Sequence, residues 1–146
     1  MQYYFRLATA VDLRQLDHIY RQNMKPYVER IYAWDSTLFR NNFVASHYQV
    51  IEVKGVTAGF LKLVKNDAEI YLAEIQIRDR YQNLGIGSKI LKDLMHQTEV
   101  SQKRLRLKVI QGNPALKLYQ RLGFVVFETS STHLKLEFNS QAIADA

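Results

Sequence analysis

The sequence predicts a single α+β (mixed α/β) domain spanning residues 1–139. Three observations predict it. Runs that alternate apolar and polar residues, the mark of strands with one buried face, follow one another between residues 48 and 77. Segments with apolar residues at helical spacing stand before and after them. The resulting order, β-α-α-β-β-β-α-β-α-β-β, combines a strand meander with strand–helix–strand steps, and 146 residues fit one domain of ordinary size.

Each element has its own signal. Tyr3 to Leu7 alternates weakly as a first strand. Thr9 and Asp12 in "TAVD" offer a capping box, followed by Leu13, Leu16, Ile19 and Tyr20 at helical spacing. "MKPYVERIYAW" reads as irregular and aromatic. A second helix starts near Asp35 or Ser36 and is expected to bury Leu38, Phe39, Phe43 and Ala45. "YQVIEV" and "TAGFLKLV" form a hairpin turned at Lys54-Gly55, and Asn66-Asp67 turns the chain into a third strand, "EIYLAEIQI". Ile86, Ile90, Leu91, Leu94 and Met95 then share one helix face. "RLRLKVI" buries Leu105, Leu107 and Val109 as a half-exposed strand. Asn113-Pro114 opens a last helix carrying Leu116, Leu118, Tyr119 and Leu122, which Gly123 ends. "FVVF" and "HLKLEF" close the domain, and residues 140–146 are expected to fray.

Composition narrows the function. With 47% apolar and 23% charged residues the chain is of the soluble globular type. No apolar stretch approaches the roughly 20 residues that cross a bilayer, and the first residues lack the basic-then-apolar pattern of a signal peptide. The chain has no cysteine, which excludes disulfides, thiolate metal sites and a covalent cysteine intermediate and suits a reducing, cytoplasmic setting. The four histidines, His18, His47, His96 and His133, show no metal-ligand spacing, so no metal site is expected. The net charge of +6 is uneven: residues 76–121 hold ten Lys or Arg against three Asp or Glu. Such a surface meets an anion, or is simply solvated.

Two of the six glycines, Gly85 and Gly87, stand where the third strand enters a helix, in "RYQNLGIGSKIL". A helix N-terminus reached through glycines leaves backbone N–H groups unpaired, and they accept an anion such as pyrophosphate. The pattern Gln82-x-x-Gly85-x-Gly87 is neither a dinucleotide G-x-G-x-x-G nor a P-loop. Taken alone, it serves equally well as a tight turn.

Together with "NPALKLYQRLGF" about thirty residues later, the stretch resembles the GNAT superfamily of acetyl-CoA-dependent N-acetyltransferases. The matching positions are Gln82, Gly85 and Gly87 in the first motif and Asn113, Tyr119, Gly123 and Phe124 in the second. The resemblance implies a mixed, mostly antiparallel sheet that splays between "YLAEIQI" and "RLRLKVI" and is flanked by helices. It implies acetyl-CoA as co-substrate, held by backbone groups of Ile75 and Ile77 along the pantetheine arm. The amides of Gln82, Asn83, Leu84, Gly85, Ile86, Gly87 and Ser88 would meet the pyrophosphate, and Asn113 and Tyr119 would complete the coenzyme site. Arg78, Arg80, Lys89 and Lys117 become candidate phosphate neighbours.

Acetyl transfer to an amine requires a base, because an ammonium has no lone pair and only about 0.1% of an amine of pKa 10.4 is free at pH 7. Glu74, in the middle of the strand before the loop, is the candidate base, directly or through a water. Glu69 and Tyr71 are substitutes, and a surface glutamate on the polar face of the sheet is the plain alternative. Tyr119 is the candidate acid for the departing thiolate. Without the resemblance it would read as a core tyrosine. The acceptor is expected to be a small-molecule or peptide amine near Tyr27, Glu29, Tyr32, Trp34 and Asp35, whose rings and carboxylates suit a cation. Two other classes stay open: a GNAT-fold domain that binds acyl-CoA without catalysis, and a basic nucleic-acid-binding module. The second is disfavoured because aromatics do not interleave with the basic run. No membrane partner is expected, and a homodimer is left open.

Overall fold

The computed structural model describes residues 1–139, so the expected fraying of residues 140–146 lies outside the described residues. Two compact units form among the described residues, Met1–Lys62 with Glu74–Ile86, and Leu63–Ala73 with residues 87–139.

The first unit holds β1 (Tyr4–Leu7), α1 (Leu13–Val28), α2 (Leu38–Asn42), β2 (Tyr48–Val53) and most of β3 (Val56–Lys65), together with the second half of β4 (Glu69–Ile77). β1 pairs antiparallel with β2, Phe5 opposite Ile51, and β2 pairs antiparallel with β3, Val50 opposite Phe60. The Lys54-Gly55 turn has both residues at positive φ (52° and 76°), the twist that a two-residue hairpin needs. The expected capping box is present. Asp12 takes the Thr9 N–H at 2.8 Å, and its two oxygens accept from Arg6 at 2.7 and 2.8 Å. Hydrogen bonding by Arg6 holds the Asp12 carboxyl down to about 2, against the opposing effect of burial. Leu16 and Ile19 of α1 pack with Ala8, Phe39, Tyr48, Val50 and Phe60 into one apolar cluster.

Two expectations need correction here. α1 does not stop before "MKPYVERIYAW" but runs to Val28 with Pro26 inside its last turn. Proline's fixed φ is helical, and the single backbone bond it removes leaves the helix to continue only to Val28. α2 is only five residues long; it buries Phe39 and leaves Phe43 half-buried, while Leu38 is 55% exposed.

The second unit holds the first half of β4, most of α3 (Ile86–Ser101), β5 (Arg104–Ile110), α4 (Ala115–Leu122), β6 (Val125–Thr129) and β7 (His133–Asn139). β4 pairs in parallel with β5 over Glu69–Leu72 and Arg104–Leu107. β7 pairs antiparallel with β5 on one side and β6 on the other. Alternation works as expected: Leu105, Leu107 and Val109 are buried, as are Ile90, Leu91 and Leu94 of α3. Arg106 bridges Glu137 at 2.9 Å and Glu69 at 3.6 Å. The strand order is β1-β2-β3-β4-β5-β7-β6, a mixed, mostly antiparallel seven-stranded sheet in an α+β fold.

Candidate functional site

In the first unit, Glu74 occupies the strand position that follows Ile70 and Leu72 at period two, so its side chain leaves the sheet on their face. It is half-buried, and its electrostatic neighbours are Tyr20 of α1, Tyr48 of β2 and Lys62 of β3. The alternative of a solvated surface glutamate is therefore set aside. Desolvation pushes its carboxyl up to about 7, opposed by a hydrogen bond from Gln76 and by the charge of Lys62. Burial and the same carboxylate push the Tyr20 and Tyr48 phenols up to about 12. Both tyrosines are thus neutral at any working pH.

Both tyrosines belong to an aromatic cluster. Tyr20 stacks on Phe39 at 4.9 Å and on Trp34 at 5.9 Å, and Tyr48 stacks on Phe43 at 4.9 Å. The Lys62 ammonium lies 5.3 Å from the Tyr48 ring centroid. Of the expected acceptor residues, Trp34 joins this cluster, and its buried Nε1 has no hydrogen-bond partner among the described residues. Tyr27 instead carries the Arg30 guanidinium over its ring, and Asp35 accepts from the Thr37 amide and hydroxyl.

Side-chain amides connect Glu74 to the end of β4. Gln76 Nε2 donates to Glu74 at 2.9 Å, and Asn23 Nδ2 donates to Gln76 Oε1 at 3.1 Å and to the Ile77 carbonyl at 2.9 Å. Gln82 Nε2 donates to the same carbonyl at 2.9 Å and to Asn23 Oδ1 at 3.5 Å. Asn23, Gln76, Tyr20, Tyr48 and Lys62 were not among the residues expected from sequence. A signal existed for two of them: Asn23 falls on the helical stripe of Leu16, Ile19 and Tyr20, and Gln76 continues the face of Ile70, Leu72 and Glu74.

The turn after β4 uses some of its own donors. A 3-10 turn at Asp79–Tyr81 bonds the Gln82 N–H to the Asp79 carbonyl at 3.1 Å, and the Ile77 carbonyl is already occupied by two amides. Asn83 and Gly85 take positive φ (60° and 87°). This folds the chain into α3, whose first N–H groups, at Ile86, Gly87 and Ser88, have no intrahelical acceptor. Gly87 is the telling residue. Its φ lies outside the left-handed range, and a Cβ added there would meet nothing within 4 Å. The described fold therefore does not require glycine at this position, and its absent side chain leaves the helix start open. Of the cationic candidates, Arg78 reaches Gln15 at 3.1 Å, Arg80 lies over the Tyr81 ring, and Lys89 and Lys117 are exposed.

In the second unit, Asn113 Oδ1 accepts the Ala115 N–H at 3.0 Å and so caps α4. Tyr119 is buried on α4, its ring edge-on to Phe124 at 5.7 Å. Ile75 is half-buried, in the part of β4 beyond the β5 register. Among the described residues no His, Asp and Glu gather as a metal site, and no helix is long and apolar enough to cross a membrane.

Known proteins show the same fold and sequence pattern. The profile of the acetyltransferase (GNAT) domain matches residues 15–138. A spermine/spermidine N(1)-acetyltransferase of Bacillus subtilis is 34% identical over 80 residues, 53% of this chain and 49% of that protein. The chain thus matches about half the length of that relative. A putative [ribosomal protein bS18]-alanine N-acetyltransferase of the same organism is 27% identical over 118 residues, 76% of this chain and 75% of that protein. Among solved structures, the PaiA N-acetyltransferase of Thermoplasma acidophilum, in complex with coenzyme A, superposes with a TM-score of 0.76 at 18% identity, covering 95% of this chain and 99% of that one.

Proposed function

The chain belongs to the acetyltransferase (GNAT) domain family, and from that premise we propose that it moves an acetyl group from acetyl-CoA to a primary amine of a small molecule or peptide. One observation carries the reading: a half-buried carboxylate, Glu74, walled by tyrosines and raised to about 7. A base with that pKa is ionised in half its molecules at neutral pH and still basic enough to take a proton from an ammonium. Aromatic walls suit the cationic form of the amine before it loses that proton. The two Bacillus relatives are named for a polyamine and for an alanine of a ribosomal protein, and these acceptors have an amine in common.

In the proposed reaction the pyrophosphate of acetyl-CoA meets the free amides at the start of α3, where Gly87 leaves room. Glu74 takes the proton of the bound ammonium, directly or through a water. The amine attacks the thioester carbonyl, a backbone N–H meets the oxyanion, the carbon–sulfur bond breaks, and the nitrogen releases its second proton to water as the amide forms. Tyr119 is assigned the proton for the departing thiolate, on the strength of its place in the second motif. With no cysteine in the chain, direct attack needs no acyl-enzyme.

The test is an amine panel, with polyamines, amino acids and short peptides offered with acetyl-CoA. Thiol release is followed in solution and products by mass spectrometry. Turnover of at least one amine, reduced by about a hundredfold or more in Glu74→Gln at pH 7, is expected. Tight acetyl-CoA binding without acetylation of any amine would leave a coenzyme-binding domain instead.

A further inference from the structure

We propose that Asn23 and Gln76 are positioning residues which, with Gln82, form a one-way amide relay that keeps the Glu74 carboxylate ionised and aimed. This rests on the reading of Glu74 as the base. The relay's direction follows from chemistry at its two ends. The Ile77 carbonyl can only accept, so the amide nitrogens of Asn23 and Gln82 must face it. Asn23 then has its second N–H for Gln76 Oε1, at 3.1 Å. With its oxygen taken, Gln76 has only N–H groups left to turn on Glu74, at 2.9 Å. Every amide in the series therefore donates towards the carboxylate.

The arrangement discriminates between the two states of Glu74. Ionised, the carboxylate accepts the Gln76 N–H. Protonated, its carbonyl oxygen still accepts that N–H, but the bond loses its charge assistance, and the new O–H finds an acceptor in Gln76 only if that amide turns its oxygen. That flip would set the Gln76 amide nitrogen against the Asn23 amide nitrogen, donor against donor. Bonds in such a series also polarise one another. Besides Gln76, the groups facing Glu74 are Tyr20 from α1, Tyr48 from β2 and Lys62 from β3. Both phenols stay neutral through the relevant range, so among the described residues Lys62 and the relay favour the ionised carboxylate against burial.

The experiment is a carboxyl ¹³C NMR titration of the full chain, with the Glu74 signal assigned by its loss in Glu74→Gln. Gln76→Met keeps length and volume but removes the donor. Its Glu74 midpoint is expected to rise by about one unit, the size of one lost hydrogen bond to a charge. Asn23→Ala leaves Gln76 in place but free to turn, so a smaller rise in the same direction is expected. Unchanged midpoints in either folded variant would overturn the relay, and Asn23→Ala keeps the test open if Gln76→Met does not fold. The acid limb of kcat/KM should move with the NMR midpoint, which a merely structural role would not produce. A midpoint that moves while the rate profile stays put supports the relay and removes Glu74 as the base.

Discussion

Gly59 of β3 faces the Gln76 carbonyl of β4 so closely that a Cβ on Gly59 would overlap the carbonyl oxygen and come within 3.1 Å of the Ile77 Cα. Both neighbours are backbone, so neither can rotate away. The next hydrogen bond along, from the Arg78 N–H to the Ala58 carbonyl at 2.7 Å, holds the two segments at this distance. The glycine therefore sets where Gln76 stands.

Gly59→Ala is expected to force β4 outward at Gln76, with a loss of about 2 kcal/mol or more, the usual range for overpacking against atoms that cannot yield. Urea denaturation measures it. An alanine variant as stable as the parent would mean that the strands part here without cost.

Gly87→Val should behave in the opposite way. Outside the helix's own turn, no atom of the described residues lies within 4 Å of a Cβ added there, and valine is at least as good a helix residue as glycine, so the melting temperature should hold. Acetyl-CoA binding, measured by calorimetry, should be lost because the branched side chain fills the anion's place. In the parent, affinity should weaken as salt rises, since phosphates meet partly exposed cations. Equal affinity in the folded variant would move the coenzyme away from this turn.

How much of this was legible in the sequence depends on the range of the interaction. The Lys54-Gly55 hairpin, the Thr9–Asp12 cap and the alternation of Leu105, Leu107 and Val109 are local, and local chemistry dictates them. Glu74 was legible as a polar residue amid apolar ones, but its surroundings were not. Tyr20, Tyr48 and Lys62 come from three other elements, and Asn23 and Gln76 are 53 residues apart. Gly59 looked like any strand glycine, because its reason is the backbone of another strand. The end of α1 was not legible because "MKPYVERIYAW" shows no helical periodicity and carries Pro26, a residue that ordinarily breaks a helix.

Glu74→Gln carries two expectations of different sign. Turnover at pH 7 should fall by about 10²–10⁴-fold, the usual contribution of a general base. The deficit should shrink at high pH, where free amine becomes abundant. Stability should move the other way. A carboxyl raised from 4.5 to about 7 in the folded state favours folding fully below pH 4.5, and that contribution is lost as pH climbs through 7. The glutamine has no such loss. Thermal melts should therefore show the variant gaining on the parent between pH 5 and pH 8. A constant difference across that range would mean Glu74 is not desolvated.

Tyr119→Phe separates a catalytic tyrosine from a packing one. The ring is buried edge-on to Phe124, and phenylalanine keeps that contact, so packing, melting temperature and acetyl-CoA binding should change little. Only the hydroxyl goes. If it protonates the departing thiolate, turnover falls, and general acid catalysis spans about 10²–10⁴-fold. A thiolate is already a fair leaving group, which sets the expected loss near the lower end, about 10²-fold or roughly 3 kcal/mol of barrier. The loss should belong to kcat rather than to the KM for acetyl-CoA, because the proton moves only as the carbon–sulfur bond breaks. A core tyrosine gives the reverse pattern, a small change in stability and turnover within about threefold of the parent on its best amine. That second outcome would take the acid role from Tyr119 and leave the thiolate to depart unassisted.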